Sequence, residues 1–147
     1  MAIIDSKTGD LKFDAFSLRK HAPMVELENL IAKNAHAYSA QQLLALGSHQ
    51  SEEKLWGLGA AMRNGRVMQF WLQDLKAKVV APEKWTIANE VERQKAHHDY
   101  LKSIFKDPDC RASSRASNLS WQFSWGSVSS ELDLKGVQAL IIIDYLL

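Results

Sequence analysis

The tetrapeptide Arg63-Asn64-Gly65-Arg66 divides two apolar runs, Leu55 to Met62 and Val67 to Leu72, and it constrains the fold more than any other stretch of the chain. A tight two-residue turn of type I′ needs positive φ at both central positions. Asparagine and glycine tolerate that geometry, so the flanking runs read as antiparallel strands of one hairpin. Counting outward pairs Met62 with Val67, Ala61 with Met68, Gly59 with Phe70, Leu58 with Trp71 and Gly57 with Leu72. In that register Gly57, Gly59 and Ala61 face Leu72, Phe70 and Met68, a small-against-large surface on which a helix could pack closely. The other face then carries Trp56, Leu58, Trp71 and Val67 beside Gln69 and Gln73, a mixed surface suited to contact with a partner.

The remaining signals are local. Ile3-Ile4 and the alternating Leu11 and Phe13 flank the turn formers Asp5 to Asp10, which predicts a hairpin over residues 3–18. Pro23 opens a helix whose apolar face holds Met24, Leu27, Leu30 and Ile31, and which should stop near Asn34. The capping-box pattern Ser39-Ala40-Gln41-Gln42, with Gly47 as a terminator, predicts a second helix. The longest helix is expected from Thr86 to Phe105, with Ile87, Val91, His98, Leu101, Ile104 and Phe105 on one stripe. Residues 107–119 read as a polar connection. Trp121, Phe123 and Trp125 alternate as a strand, and a turn at Asp133-Leu134-Lys135-Gly136 returns the chain through Val137 to Tyr145. The order is ββ-α-(α)-ββ-α-ββ. The fold class is α+β, a predominantly antiparallel sheet built from hairpins, with two to three helices packed on it.

Composition sets the limits of function. The 147 residues fit a single domain, 1–147, and the 18 basic against 17 acidic residues lack the dense positive stripe of a non-specific nucleic-acid binder. One cysteine, Cys110, cannot form an intramolecular disulfide, which fits a reducing compartment. The chain has neither a leader pattern at Met1 to Asp5 nor an apolar run long enough to span a membrane, so a cytoplasmic protein is expected.

Chemistry-bearing residues are scattered. Gly126-Ser127-Val128-Ser129-Ser130 lacks the second glycine of a nucleophile elbow and precedes a strand, so ladder serines are expected there and no catalytic residue is assigned. His97 and His98 point about 100° apart on a helix and lack a partner at the spacing of a helical zinc motif. No metal or cofactor site is expected; His98 reads as a hydrogen-bonded boundary residue. Glu52, Glu53, Glu90 and Glu92 read as solvated.

Three segments carry a family resemblance: Phe123-Ser124-Trp125-Gly126-Ser127-Val128-Ser129-Ser130, Asp133-Leu134-Lys135-Gly136, and Ile141-Ile142-Ile143-Asp144-Tyr145. Together with the helix from Trp85 to Leu101, bearing Glu90, Arg93 and His98, and the turn Asn64-Gly65-Arg66, they resemble small bacterial immunity proteins of polymorphic or contact-dependent toxin systems. The resemblance implies a non-catalytic protein whose partner is a cognate protein toxin. Its motifs form turns and strands, so it carries over no functional residue. The candidate partner-binding residues come from the residues themselves: Trp71, Gln69 and Gln73 on the mixed hairpin face, and Arg93 on the exposed side of the long helix. Two other readings stay open. One is a small-ligand binding protein or enzyme with a cavity between sheet and helix; the other is a homodimeric accessory protein joined through the C-terminal strand.

Overall fold

The computed structural model describes residues 2–30, 43–77, 86–107, 110–133 and 138–146. The α+β class holds, and the sheet is larger than the sequence pattern foretells. Seven strands form one antiparallel sheet: β3 (Leu43–Ser51), β4 (Lys54–Arg63), β5 (Arg66–Asp74), β6 (Ala112–Arg115), β7 (Asn118–Phe123), β8 (Gly126–Asp133) and β9 (Gln138–Tyr145). Their spatial order is β3-β4-β5-β9-β8-β7-β6, so two meanders meet at the β5–β9 pair. The short strands β1 (Leu11–Lys12) and β2 (Ser17–Leu18) pair separately. A four-residue helix α1 (Met24–Leu27), continued by a 3-10 turn to Leu30, and the long helix α2 (Ile87–Ile104) complete the described elements.

One face of the sheet is covered. Helix α2 crosses it, placing Phe105 against Trp121 and the His97 and Tyr100 rings against Trp56. The N-terminal segment covers the rest with Ile3, Ile4, Leu11, Phe13 and Leu18, all buried. Long-range bonds fasten it, among them Ile3 N–H donating to the Tyr100 hydroxyl at 3.2 Å, the Trp125 indole to the Ser6 carbonyl at 2.9 Å, and the Tyr145 hydroxyl to the Gly9 carbonyl at 2.6 Å. Burial pushes the Tyr100 hydroxyl up to about 12 and raises that of Tyr145 further.

Several expectations are corrected by this arrangement. The stretch around Leu43 to Gly47 is strand β3, not a helix; Gly47, with φ of 79°, sits at a bulge between Ala45 and Ser48. The Ser39-to-Gln42 capping box and the end of the Pro23 helix beyond Leu30 lie outside the described residues, as does the turn at residues 134–137. The polar connection at 107–119 contains an edge strand, β6, whose four exposed residues give no alternation to detect. Trp125 lies in the turn between β7 and β8 rather than on a strand. Gly126 begins β8 for a reason of space, since a Cβ there would stand 2.0 Å from the Asp144 carbonyl oxygen.

The Asn64-Gly65 turn forms, with φ of 53° and 75°, and Met62 pairs with Val67. Beyond it the register differs from a plain count. A bulge between Ala61 and Met62 lets β5 gain one residue, so Ala61 opposes Gln69, Gly59 opposes Trp71, and Gly57 opposes Gln73. Because side chains alternate, the slip exchanges every later residue of β5 between the two faces. Phe70 and Leu72 join Trp56 and Leu58 in the core, while Gln69, Trp71 and Gln73 emerge with the glycines on the opposite face.

Candidate functional site

That opposite face is where the candidate residues gather. No described helix covers it. A cleft of about 1050 Å³ runs over it, lined by Leu43, Gly59, Trp71, Leu140 and Ile142, with Gln69, Gln73 and Gln138 at its polar positions. The Trp71 ring lies across Gly59, whose missing side chain makes the space; a Cβ there would come within 3.3 Å of the ring. The indole N–H donates to Gln69 Oε1 at 3.0 Å, so the neighbour two residues back fixes the ring while leaving its apolar surface in the cleft. Leu140 and Ile142 explain why β9 is apolar on both sides: Ala139, Ile141, Ile143 and Tyr145 fill the core, and these two floor the cleft. A smaller groove of about 350 Å³ continues towards β6 over Ser127, Ser129 and Arg115, sharing Gln69, Glu131 and Ile142 with the first.

Three of the four predicted partner-binding residues, Trp71, Gln69 and Gln73, therefore line one cleft. Arg93 does not join them. Its guanidinium Nε donates to the Asp74 carbonyl at 3.0 Å and Nη1 pairs with Glu90 at 2.6 Å, which leaves only 17% of the side chain exposed. The expected exposed site on α2 is instead a structural tie.

The tie belongs to a polar seam that sequence periodicity misses. Strands β5 and β9 pair from Gln69–Asp144 to Leu72–Ile141 and then separate. Continuing that register would set Asp74 opposite Ala139; side chains occupy the rung instead. His97 Nε2 accepts from Asp74 N–H at 2.9 Å, and Glu90 accepts from Ala139 N–H at 3.1 Å. Gln73 donates to the Ala139 carbonyl at 3.2 Å, while Arg93 takes the Asp74 carbonyl. Buried backbone groups require partners, so the first turns of α2 turn Glu90, Gln94 and His97 inward, and only the C-terminal part of the predicted apolar stripe, Leu101, Ile104 and Phe105, packs on the core. Ile87, expected inside, is 60% exposed, and Glu90, expected to be solvated, is 1% exposed. The pattern of amides and carboxylates at helical spacing looks like a solvated face, which is why it escaped detection.

Burial drives the His97 imidazole down to about 3, since charging it would strand a cation in the core; Asp74 opposes the shift and Arg93 adds to it. With Nε2 accepting, the proton sits on Nδ1, which finds no partner among the described residues. His98 is hydrogen-bonded, as expected: Nδ1 stands 2.6 Å from Ser130 Oγ and Nε2 stands 2.9 Å from the Ser117 carbonyl. The carbonyl requires Nε2 to donate, leaving Nδ1 to accept the hydroxyl proton. An accepting ring nitrogen thus faces a serine hydroxyl, yet Ser130 is fully buried and lines neither described groove. The pair pins α2 to β8. Ser127 and Ser129 project to the open side, where Ser129 donates to Glu131 at 2.7 Å.

Two further expectations change. The cleft lies on the face away from α2, not between sheet and helix as the small-ligand reading supposed. Strand β9 is central, hydrogen-bonded to β5 and β8, so a second copy joined through it would have to meet the open face at Leu140 and Ile142 rather than a strand edge. Among the described residues no cluster of three or more His, Cys, Asp or Glu side chains is arranged to hold a metal ion, and no helix is long and apolar enough to cross a membrane. Comparison with family models, curated proteins and solved structures finds no match to this chain.

Proposed function

We propose that this is a non-catalytic binding protein, most specifically a cytoplasmic immunity protein that neutralises a cognate bacterial toxin by occupying it with the open sheet face. The observation that carries the reading is the cleft itself: an apolar floor with an indole anchored by Gln69, on a rigid sheet whose opposite side is filled. A fixed aromatic beside aliphatic side chains is the composition of an interface hot spot, because little side-chain entropy remains to be lost on contact. A stable complex needs about 800 Å² from each partner, so the contact would extend beyond the cleft and its flanking groove onto the surrounding strands of the open face.

A second reading takes support from the same space. The cleft volume, about 1050 Å³, is close to that of pockets for small apolar molecules, and glutamine amides at its rim could orient one. The two readings part in one experiment. Tagged protein and its Trp71→Ala variant are used to capture the products of neighbouring open reading frames, and denatured protein is extracted for co-purifying small molecules. A stoichiometric protein partner lost with Trp71→Ala is the expected result; a small molecule that raises the melting temperature without any protein partner would replace it.

A further inference from the structure

We infer that the element the open face receives is a basic, apolar polypeptide segment of the partner. The inference rests on the proposal that this face is the binding surface. Its ground is the distribution of charge. Across the whole chain 18 basic residues balance 17 acidic ones, yet among the described residues the charged side chains lining the main cleft are both carboxylates, Glu131 and Asp133. The adjoining groove adds Asp144 and shares Glu131, against one cation among the described residues, Arg115. Glu131 stands where the two grooves meet, and the Ser129 hydroxyl holds its carboxylate at 2.7 Å. A ligand that buries apolar groups against Trp71, Leu140 and Ile142 would bring its own charges beside these carboxylates as water leaves. Cations are then favoured and anions repelled, more strongly than at an open surface.

Dimensions decide between a peptide and a small cation. The grooves extend from β3 towards β6 across six interstrand steps. At about 4.8 Å per step that is roughly 29 Å, the length of a helix of about 20 residues or an extended segment of about nine. A small amine could neutralise Glu131 but would leave most of the apolar floor wet.

The test uses the full chain and fluorescently labelled synthetic peptides of about 20 residues. One alternates Lys with Leu and Trp, the second replaces Lys by Glu, and the third keeps Lys but replaces Leu and Trp by Ser; spermine serves as the small cation. The Lys/Leu/Trp peptide is expected to bind at least about tenfold more tightly than the other two and than spermine. Its advantage over the Glu peptide should shrink as ionic strength rises from about 0.01 to about 1 M, which shortens the Debye length from about 30 to about 3 Å. The double variant Glu131→Gln, Asp133→Asn should lose the same advantage; if it does not fold, the salt series on the unaltered protein decides. Equal binding of the Lys and Glu peptides, with both lost in Trp71→Ala, would overturn the charge inference while leaving the open face as the binding surface. Failure of every peptide, or binding indifferent to Trp71→Ala, would remove both. Tighter binding of spermine, or self-association that saturates the face, would replace the basic segment with a small cation or a second copy.

Discussion

The two faces of this sheet use polar side chains in opposite ways. On the covered face Glu90, Arg93, Gln94 and His97 are turned inward and spent on backbone groups or on each other, so their charges and amides hold two meanders together. On the open face Gln69, Gln73, Gln138 and Glu131 stand around an apolar floor, beside space that another molecule can fill. Gln73 touches both worlds, lining the cleft while donating to the Ala139 carbonyl. The difference teaches that residue type does not separate structural from binding groups here. What separates them is whether unpaired backbone lies within reach.

Substitutions should divide along the same line, covered-face changes costing stability and open-face changes costing contact. The largest loss is expected for Glu90→Ala, which strands the Arg93 charge and the Ala139 N–H; urea unfolding should show a loss of about 3–5 kcal/mol. A cost below about 1 kcal/mol would break the contrast, since the seam would then be no more than a solvated face. Gly126→Ala should cost about 2–3 kcal/mol by pushing β8 off the Asp144 carbonyl, and near-neutrality would mean that the two strands can separate freely.

Acid should act on the seam as well. The folded His97 value of about 3 lies below its ordinary 6.5, so the unfolded chain binds the extra proton between those limits. Its contribution is therefore complete above pH 6.5 and is lost as pH falls, by about 1.4 kcal/mol per unit. A His97→Gln variant, compared with the parent by denaturant unfolding at several pH values, should show a shallower slope through this window. Ser130→Ala should cost about 1 kcal/mol by leaving His98 Nδ1 unpaired. The smallest stability effect belongs to Trp71→Ala, at about 1 kcal/mol or less by the same measurement, because the half-buried ring lies on the open face, beside Gly59, Gln69 and Ile142. If it unfolds the protein, Trp71 is a core residue and the open face loses its anchor.

Short-range chemistry alone determined much of this molecule. The Asn64-Gly65 turn, the extent of α2 from its Thr86 cap, the alternation of β9 and the antiparallel α+β class all follow from backbone preferences and period, which depend on neighbours within a few residues. The sequence also marked Trp71, Gln69 and Gln73 as one surface, although it placed Trp56 and Leu58 with them. Tertiary structure decided which way that surface faces. A single bulge beside Met62 moved Phe70 and Leu72 into the core, and no rule of composition announces where a strand will take up one extra residue. It likewise decided the inward face of α2, since Glu90 and His97 are buried only because β5 and β9, distant in sequence, part at the rung that would join Asp74 to Ala139. Local preferences are settled by the chain's own neighbours; the cost of an unpaired backbone group exists only once two strands have met.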